Sequence, residues 1–185
     1  MSSTVTPAGT PAVDTEAIAA ALEGITTKWI TTPDGIPTVE LPVERVHEAL
    51  TRLKTNAEFE FCTLVTAIDH FPASPRFQVI WQLLSLARNQ RVRVYARPSD
   101  DDAVVATCTD LWPGAAFSER ECFDMFGIRF AGHVNLRRLL MPDGYDHHPL
   151  RKDFPHQGIQ PDRLYREWDA ERRGQWESEK DGGSQ

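Results

Sequence analysis

Carboxylates, histidines and arginines are concentrated between Glu119 and Asp153, so any chemistry of this chain would be sought there. Glu119, Glu121 and Asp124 are close enough in sequence for acid–base catalysis or metal binding. In a helix, however, only Glu121 and Asp124 point to the same side. With Arg120 beside them, the pattern favours a salt-bridged helix face over a catalytic pair.

The histidines of the same stretch do not have the spacing of a metal site. His147 and His148 are adjacent, so their side chains diverge in an extended segment, and His133 and His156 are distant in sequence. No His-x-x-x-His or Glu-x-x-His spacing within this stretch supplies a helical pair of ligands. The spacing therefore predicts no metal ligand.

Two basic clusters, Arg137-Arg138 and Arg151-Lys152, lie in the same stretch. No Gly-rich loop precedes a helix there, so phosphate binding is disfavoured. Arginine is well suited to bidentate pairing with carboxylates at interfaces. The clusters predict docking against an acidic partner surface, or pairing with Glu119 and Glu121.

Large apolar side chains lie in and just before the same stretch. The sequence does not show which of them belong to the core and which to an interface. They are Trp112, Phe117, Phe123, Met125, Phe126 and Phe130. The sequence contains no nucleophile elbow, dinucleotide fingerprint or phosphate-binding loop. The stretch thus predicts a docking module without a catalytic centre.

Composition limits the class of protein. The 185 residues are 41% hydrophobic, which suffices for one domain with tails, and the net charge of −7 argues against nucleic-acid binding. Cys62, Cys108 and Cys122 are odd in number and widely spaced, which predicts buried free thiols in a reducing compartment. No apolar stretch approaches the roughly 20 residues of a membrane span, and no secretory signal is visible, so we expect a cytoplasmic protein.

The elements that must position these residues begin with a short helix. It starts at Asp14 or Thr15 and ends at Gly24, with an apolar face of Ile18, Leu22 and Ile25. Strands at 28–31 and 38–41 flank a Pro-Asp-Gly turn at 33–35. A second amphipathic helix is predicted from 42 to 54.

An antiparallel meander follows, with strands at 61–68, 77–86 and 91–97. The strand at 61–68 is apolar on both faces and is therefore predicted to be central in the sheet. The strand at 91–97 is predicted to have one solvent-exposed face. A helix is expected to start near Ala103 and to be interrupted at Pro113-Gly114, and a second helical segment runs from Ala115 to Phe126. Gly127 ends that segment.

These elements predict an α+β fold of two layers, α-β-β-α-β-β-β-α, with helices on one face of a mixed or antiparallel sheet. Residues 1–13 are expected to form a flexible tail and 14–127 the α+β domain. Residues 128–173 lack periodicity, which predicts a long extended C-terminal arm lying along a partner, with a charged helix at 161–173. Residues 174–185 are expected to be disordered.

Three motifs carry a family resemblance. ERECFDMFGIRF at 119–130, GHVNLRRLLMP at 132–142 and HPLRKDFP at 148–155 closely resemble the signature of the C subunit of NADH:quinone oxidoreductase, the bacterial respiratory complex I. TDLWPGA at 109–115 and LLSL at 83–86 also match. The resemblance covers about residues 43–155.

The resemblance implies a non-redox structural subunit of the quinone-reducing peripheral arm, at the cytoplasmic face of the cell inner membrane. Its expected partners are the quinone-site (D) subunit and neighbouring iron–sulfur subunits, and it reaches the membrane only through the complex. FMN, iron–sulfur clusters, NADH and quinone belong to other subunits, so no cofactor is expected on this chain. The alternatives are the equivalent subunit of a membrane-bound hydrogenase or deazaflavin-cofactor dehydrogenase, and a free-standing small enzyme.

The family signature assigns partner docking to a set of positions that we call the signature residues. They are Glu119, Arg120, Glu121, Asp124, Phe126, Gly127, His133, Arg137, Arg138, Leu140, Pro142, Pro149, Leu150, Arg151, Lys152 and Asp153.

Overall fold

The centre of the fold is a five-stranded sheet with strand order β1-β2-β5-β4-β3. The computed structural model describes residues 15–100, 102–156, 158, 166–167 and 169–174. The strands are β1 (Lys28–Ile30), β2 (Thr38–Glu40), β3 (Phe61–Asp69), β4 (Phe77–Ser85) and β5 (Gln90–Ala96). Only β2 and β5 are parallel neighbours, and the other pairs are antiparallel. The predicted mixed sheet is confirmed.

Three helices accompany the sheet: α1 (Thr15–Ala21), α2 (Val46–Asn56) and α3 (Ala115–Phe126). A 3-10 turn at Val43–Arg45 leads into α2. The apolar positions of α1 and α2 share one core with the inward side chains of β3, β4 and β5. Trp81 and Leu83 of β4 are fully buried in that core, as their alternation predicts. The helices therefore cover one face of the sheet.

Strand β3 is an edge strand, so its predicted central position is wrong. Its inward residues Val65 and Ala67 are buried in the core that α3 shares, but Phe61, Leu64 and Ile68 on the other face are 47%, 42% and 42% exposed. An apolar strand pattern predicts burial of both faces, but no described element covers the second face of β3. The outer face of β3 is left apolar and open.

The helix expected near Ala103 is also wrong, because Val104–Ala106 forms strand β6. It pairs in parallel with β7 (Arg129–Ala131), which directly follows α3 and which periodicity did not reveal. Hydrogen bonds from Arg129 N to Ala103 O and from Thr107 N to Ala131 O extend this pairing at 2.8 and 2.9 Å. Two valines in succession favour strand over helix, and three residues are too few to show a period.

Helix α3 and its end at Gly127, whose φ is +78°, are confirmed. Trp112, Met125, Phe126 and Phe130 are buried, whereas Phe117 is exposed. Within the predicted C-terminal helix at 161–173, residues 166–167 and 169–173 are helical and the others lie outside the described residues. Gly174, the first residue of the predicted disordered tail 174–185, is also helical. The predicted tail 1–13 and residues 175–185 lie outside the described residues. No described helix has the length and apolar character needed to cross a membrane.

Candidate interaction site on α3 and the C-terminal segment

Asp124 on α3 is the anchor of residues 132–156, which we call the C-terminal segment. Its carboxylate is fully buried, and Oδ2 accepts backbone N–H groups of Leu139, Leu140 and Met141 at 2.9, 2.6 and 2.9 Å. Oδ1 accepts a hydrogen bond from Arg138 Nη1 at 2.7 Å. One buried acid therefore fixes the backbone of a turn that is 15 to 17 residues away in sequence.

The charge of Asp124 is stabilised by these donors. Burial alone would raise its pKa, but the N–H groups of Met141 and Leu140 and the guanidinium of Arg138 outweigh burial and hold the pKa below its usual value. A carboxylate that accepts several backbone N–H groups is strongly stabilised in its ionised form. Asp124 is thus an acceptor rather than a proton donor.

Arg138 connects α3 to the end of the segment. Beyond its ion pair with Asp124, Nη1 lies 3.2 Å from both the Asp124 and the His147 carbonyl oxygens, and the guanidinium lies over the ring of Tyr145. His148 Nδ1 hydrogen-bonds to the Asp124 carbonyl at 2.9 Å. Burial, with Arg151 and Arg138 nearby, lowers the pKa of His148, so its imidazole is held neutral.

Gly127 makes the next contact possible. Its positive φ ends α3, and a Cβ there would lie 2.3 Å from Arg151 Nη2 and 2.6 Å from His148 Nε2. In this space Arg151 Nε donates to the Phe126 carbonyl at 2.6 Å, and Leu150 N–H donates to Met125 O at 3.1 Å. The last carbonyls of α3 are therefore satisfied by the C-terminal segment.

Arg76 closes the segment onto the sheet. Its guanidinium donates to Asp69 at 2.7 and 2.8 Å and to Asp153 at 2.6 and 3.0 Å. Lys152 takes part through its backbone, whose N–H donates to Asp69 Oδ2 at 2.7 Å. Burial would raise the pKa of Asp69, but Arg76 and the N–H groups of Lys152 and Phe71 lower it to about 2.

Glu119 has a separate structural role. It is fully buried, and its carboxylate accepts hydrogen bonds from Thr107 Oγ1 at 2.5 Å and from Cys108 N at 2.8 Å. These bonds hold the loop that leads from β6 towards α3. The predicted pairing of the basic clusters with Glu119 is wrong, because its acceptor positions are used within this loop.

Two further signature residues attach the start of the segment to α3. Arg120 donates to the carbonyl oxygens of Arg137 and Arg138 at 3.1 and 2.7 Å. His133 Nε2 lies 3.3 Å from Ala116 O, and its Nδ1 accepts the Asn135 N–H at 3.0 Å. The predicted salt-bridged face of α3 is therefore replaced by bonds from α3 to a non-local backbone.

The described part of the predicted arm does not extend away from the domain. Residues 129–131 pair with β6, and the C-terminal segment returns across α3 to Asp69 and Arg76. The buried carboxylate of Asp124 and the last carbonyl groups of α3 need hydrogen-bond donors. The C-terminal segment supplies these donors, so it stays against the domain. Residues 157 and 159–165 lie outside the described chain.

The signature residues consequently divide into two sets. The members already described bind within the chain, as does Pro142, whose carbonyl accepts the Tyr145 N–H at 3.2 Å, and Pro149 is partly buried. Six signature side chains are exposed, and one of them, Asp153, pairs with Arg76. The other five are Glu121, Arg137, Leu140, Leu150 and Lys152. Leu140 and Leu150 are 62% and 52% exposed although both are apolar. These five are the candidate partner contacts.

Sequence reasoning missed Asp69 and Arg76. The available signal was an acid at the end of an apolar strand, in phase with buried Val65 and Ala67. In the part of the chain that the structure describes, no three His, Cys, Asp or Glu side chains assemble into a metal site. His147 instead packs edge-on against Tyr145, at 5.5 Å between ring centroids.

Comparisons with known proteins show the family of this chain. Residues 39–160 match the family model of the respiratory-chain NADH dehydrogenase, 30 Kd subunit. The C subunit of NADH-quinone oxidoreductase from Citrifermentans bemidjiense is 43% identical over 129 residues, which are 70% of this chain and 79% of that protein. The C/D subunit of NADH-quinone oxidoreductase from a Sulfurihydrogenibium species is 43% identical over 133 residues, 70% of this chain and 23% of that protein.

A solved structure is also similar. It is the trypsin-resistant fragment, residues 1–134, of Nqo5, with 32% identity and a TM-score of 0.57. The similarity covers 66% of this chain and 95% of the fragment.

Proposed function

Because the chain belongs to the family of the 30 Kd subunit of respiratory-chain NADH dehydrogenase, we propose that it docks on the quinone-site (D) subunit in the peripheral arm of NADH-quinone oxidoreductase. The exposed signature residues Leu140, Leu150 and Lys152 provide the contact surface. In this role the chain is structural. It supports a complex that transfers electrons from NADH to a quinone.

The observation that carries this proposal is the longer C/D relative. In that protein, the part that resembles this chain is 23% of a longer polypeptide. Covalent linkage raises the effective concentration of two modules and is consistent with a working contact between them. In this chain the same contact would form without the linkage.

We further propose that the chain carries no redox cofactor. A cubane or binuclear iron–sulfur cluster is commonly held by four thiolates, and the sequence contains three cysteines. Two of them, Cys108 and Cys122, are buried, and burial with nearby negative charge raises the pKa of Cys122. A buried protonated thiol is a poor metal ligand. FMN, iron–sulfur clusters, NADH and quinone are then bound by other subunits.

The proposed location is the cytoplasmic face of the cell inner membrane. The chain would be held there by its partner subunits rather than by an element of its own. The iron–sulfur subunits that adjoin the quinone-site subunit are the second expected set of partners.

The test is affinity purification of the tagged chain from mildly solubilised membranes of a cell that makes it, followed by mass spectrometry. We expect the quinone-site subunit, iron–sulfur subunits and an NADH-binding flavin subunit. The variant Leu150→Asp with Lys152→Glu should lower recovery of the quinone-site subunit at least tenfold, because it places two negative charges in a partly apolar contact. Lys28→Glu, on the opposite edge strand, is the matched control.

Three outcomes contradict the proposal in different ways. Full recovery of the quinone-site subunit with the double variant means that the contact lies elsewhere. Recovery with hydrogenase-type partners and no NADH-binding subunit selects the related complex. A tagged chain that is recovered alone refutes a role as a subunit.

A further inference from the structure

The outer face of the sheet carries an apolar stripe that no described helix covers. It consists of the exposed Phe61, Leu64 and Ile68 on β3 and the half-buried Leu84 on β4, with the buried side chain of Ile80 at its floor. The register places Phe61 opposite Leu84, and Ile80 opposite Thr66 between the other two β3 residues. Leu64 and Ile68 lie opposite Gln82 and Gln78, so the apolar side chains of the two strands are neighbours along the diagonals of the register.

This stripe is separate from the core. The core cluster contains the inward residues of β3 and β4, and none of the five stripe residues belongs to it. An antiparallel sheet with one open face normally presents polar side chains there. A continuous apolar patch on such a face is typical of an interaction site.

The dimensions of the stripe fit one helix. Two neighbouring strands with their side chains are about 10 Å wide, which is close to the diameter of an α-helix. The distance along β3 from Phe61 to Ile68 is about 23 Å at roughly 3.3 Å per residue. A helix of about 15 residues has the same length.

One side of the stripe is basic. In the register of β4 and β5, Arg91 lies opposite Leu84 and Arg93 lies opposite Gln82. Arg93 is paired with Asp34 at 2.7 Å. Arg91 is exposed, and within the described ranges no ion pair or hydrogen bond of its side chain is present. A partner side chain with negative charge would complement it.

We propose that this stripe binds an amphipathic helix of another subunit of the complex. The apolar side of that helix lies over Phe61, Leu64 and Ile68, and Asp or Glu residues on its flank pair with Arg91. This contact rests on the proposed function, since it requires the complex. It is distinct from the signature surface, because the C-terminal segment binds at α3 and at the inward residue Asp69.

The experiment places a benzophenone amino acid at Leu64 in the tagged chain, and the complex is isolated from native membranes after illumination. We expect a covalent adduct with one other subunit, in a peptide that is helical and contains Asp or Glu. The same probe at Ala20, an exposed residue of α1 on the other side of the sheet, is the control and should give at least tenfold less of this adduct.

Charge is tested in the same system. Arg91→Glu should lower the yield of the Leu64 adduct at least fivefold, whereas Lys28→Glu, on β1 at the far edge of the sheet, should leave it unchanged. Both variants should melt within about 2 °C of the parent chain, because Arg91 is exposed and the ion pair of Lys28 with Glu40, at 3.9 Å, is a weak surface pair.

Each outcome bears on the inference. The expected adduct with its dependence on Arg91 supports it. A chain that is present in the complex but gives no adduct above the Ala20 level overturns it and leaves the proposed function intact. An adduct with the chain's own terminal residues, or with a second copy, also overturns it. A chain that is absent from the complex refutes both proposals.

Discussion

Asp124→Asn should release the C-terminal segment while the rest of the domain stays folded. The asparagine oxygen can take the place of Oδ2 and still accept the three backbone N–H groups at 139–141. Its amide nitrogen then faces Arg138, which is also a donor. The substitution therefore replaces a buried ion pair by two hydrogen-bond donors that face each other, the asparagine amide nitrogen and the guanidinium of Arg138.

The expected cost follows from the burial of this pair. Arg138 is 13% exposed and Asp124 is fully buried, and removal of one member of such a pair costs about 3–5 kcal/mol. Arg138 keeps the carbonyl oxygens of Asp124 and His147 as acceptors, so the lower end, about 3 kcal/mol, applies. This corresponds to roughly a hundredfold in the equilibrium for local opening.

Hydrogen exchange measures this equilibrium directly. The amides of Leu139, Leu140 and Met141 should exchange roughly a hundredfold faster in Asp124→Asn, and the amides of β4 should change little. Glu121→Gln, an exposed acid on the same helix, is the matched control and should leave all of these amides unchanged. A change of less than threefold at 139–141 would refute the anchoring role of Asp124. So would equal acceleration of exchange throughout the domain.

Gly127→Ala should destabilise the fold more than Gly35→Ala, because both residues have positive φ but only the Cβ at 127 meets another group, Arg151 Nη2. We expect a loss of about 1 kcal/mol at Gly35 and a larger loss at Gly127 in urea unfolding, and equal losses would contradict the close contact. Asp69 should make stability fall at acid pH. Its folded pKa of about 2 lies below that of the unfolded chain, so its contribution of about 2 kcal/mol is complete above about pH 5 and is lost as the pH falls towards 2. Asp69→Asn should flatten this part of the pH profile of urea unfolding, and an unchanged slope would count against it. Arg76→Lys should cost on the order of 1–2 kcal/mol in the same assay, since an ammonium cannot bind two carboxylates in paired fashion, and a stability equal to the parent would disprove that geometry.

Periodicity predicted most of the fold. The apolar spacing of α1, α2 and α3 and the alternation of β4 and β5 each reflect burial on one side, which a single sequence records locally. Strands β6 and β7 have three residues each, so no period can be seen. For β3 the pattern correctly showed two apolar faces, but a sequence does not say whether the second face meets the same chain or another one.

The site was harder to predict because its contacts are non-local. Asp124 binds backbone groups 15 to 17 residues away, and Asp69 binds the N–H of Lys152, which is 83 residues away. Every residue except proline has a backbone N–H, so residue types do not show which N–H groups a carboxylate will bind. The sequence therefore did not indicate the partners of Asp124 and Asp69. For the same reason Arg138 and Arg151 resembled free docking groups, although both bind carbonyl oxygens of α3 and its end.

In the proposed docking role, the buried signature residues would act through the shape of the segment. Leu140 and Leu150 are exposed, yet the backbone N–H of each is held by α3, at Asp124 Oδ2 and Met125 O. A loop that is ordered before binding does not lose conformational entropy on binding, and each ordered residue represents about 1–2 kcal/mol. Asp124 should thus strengthen a partner contact that it does not touch.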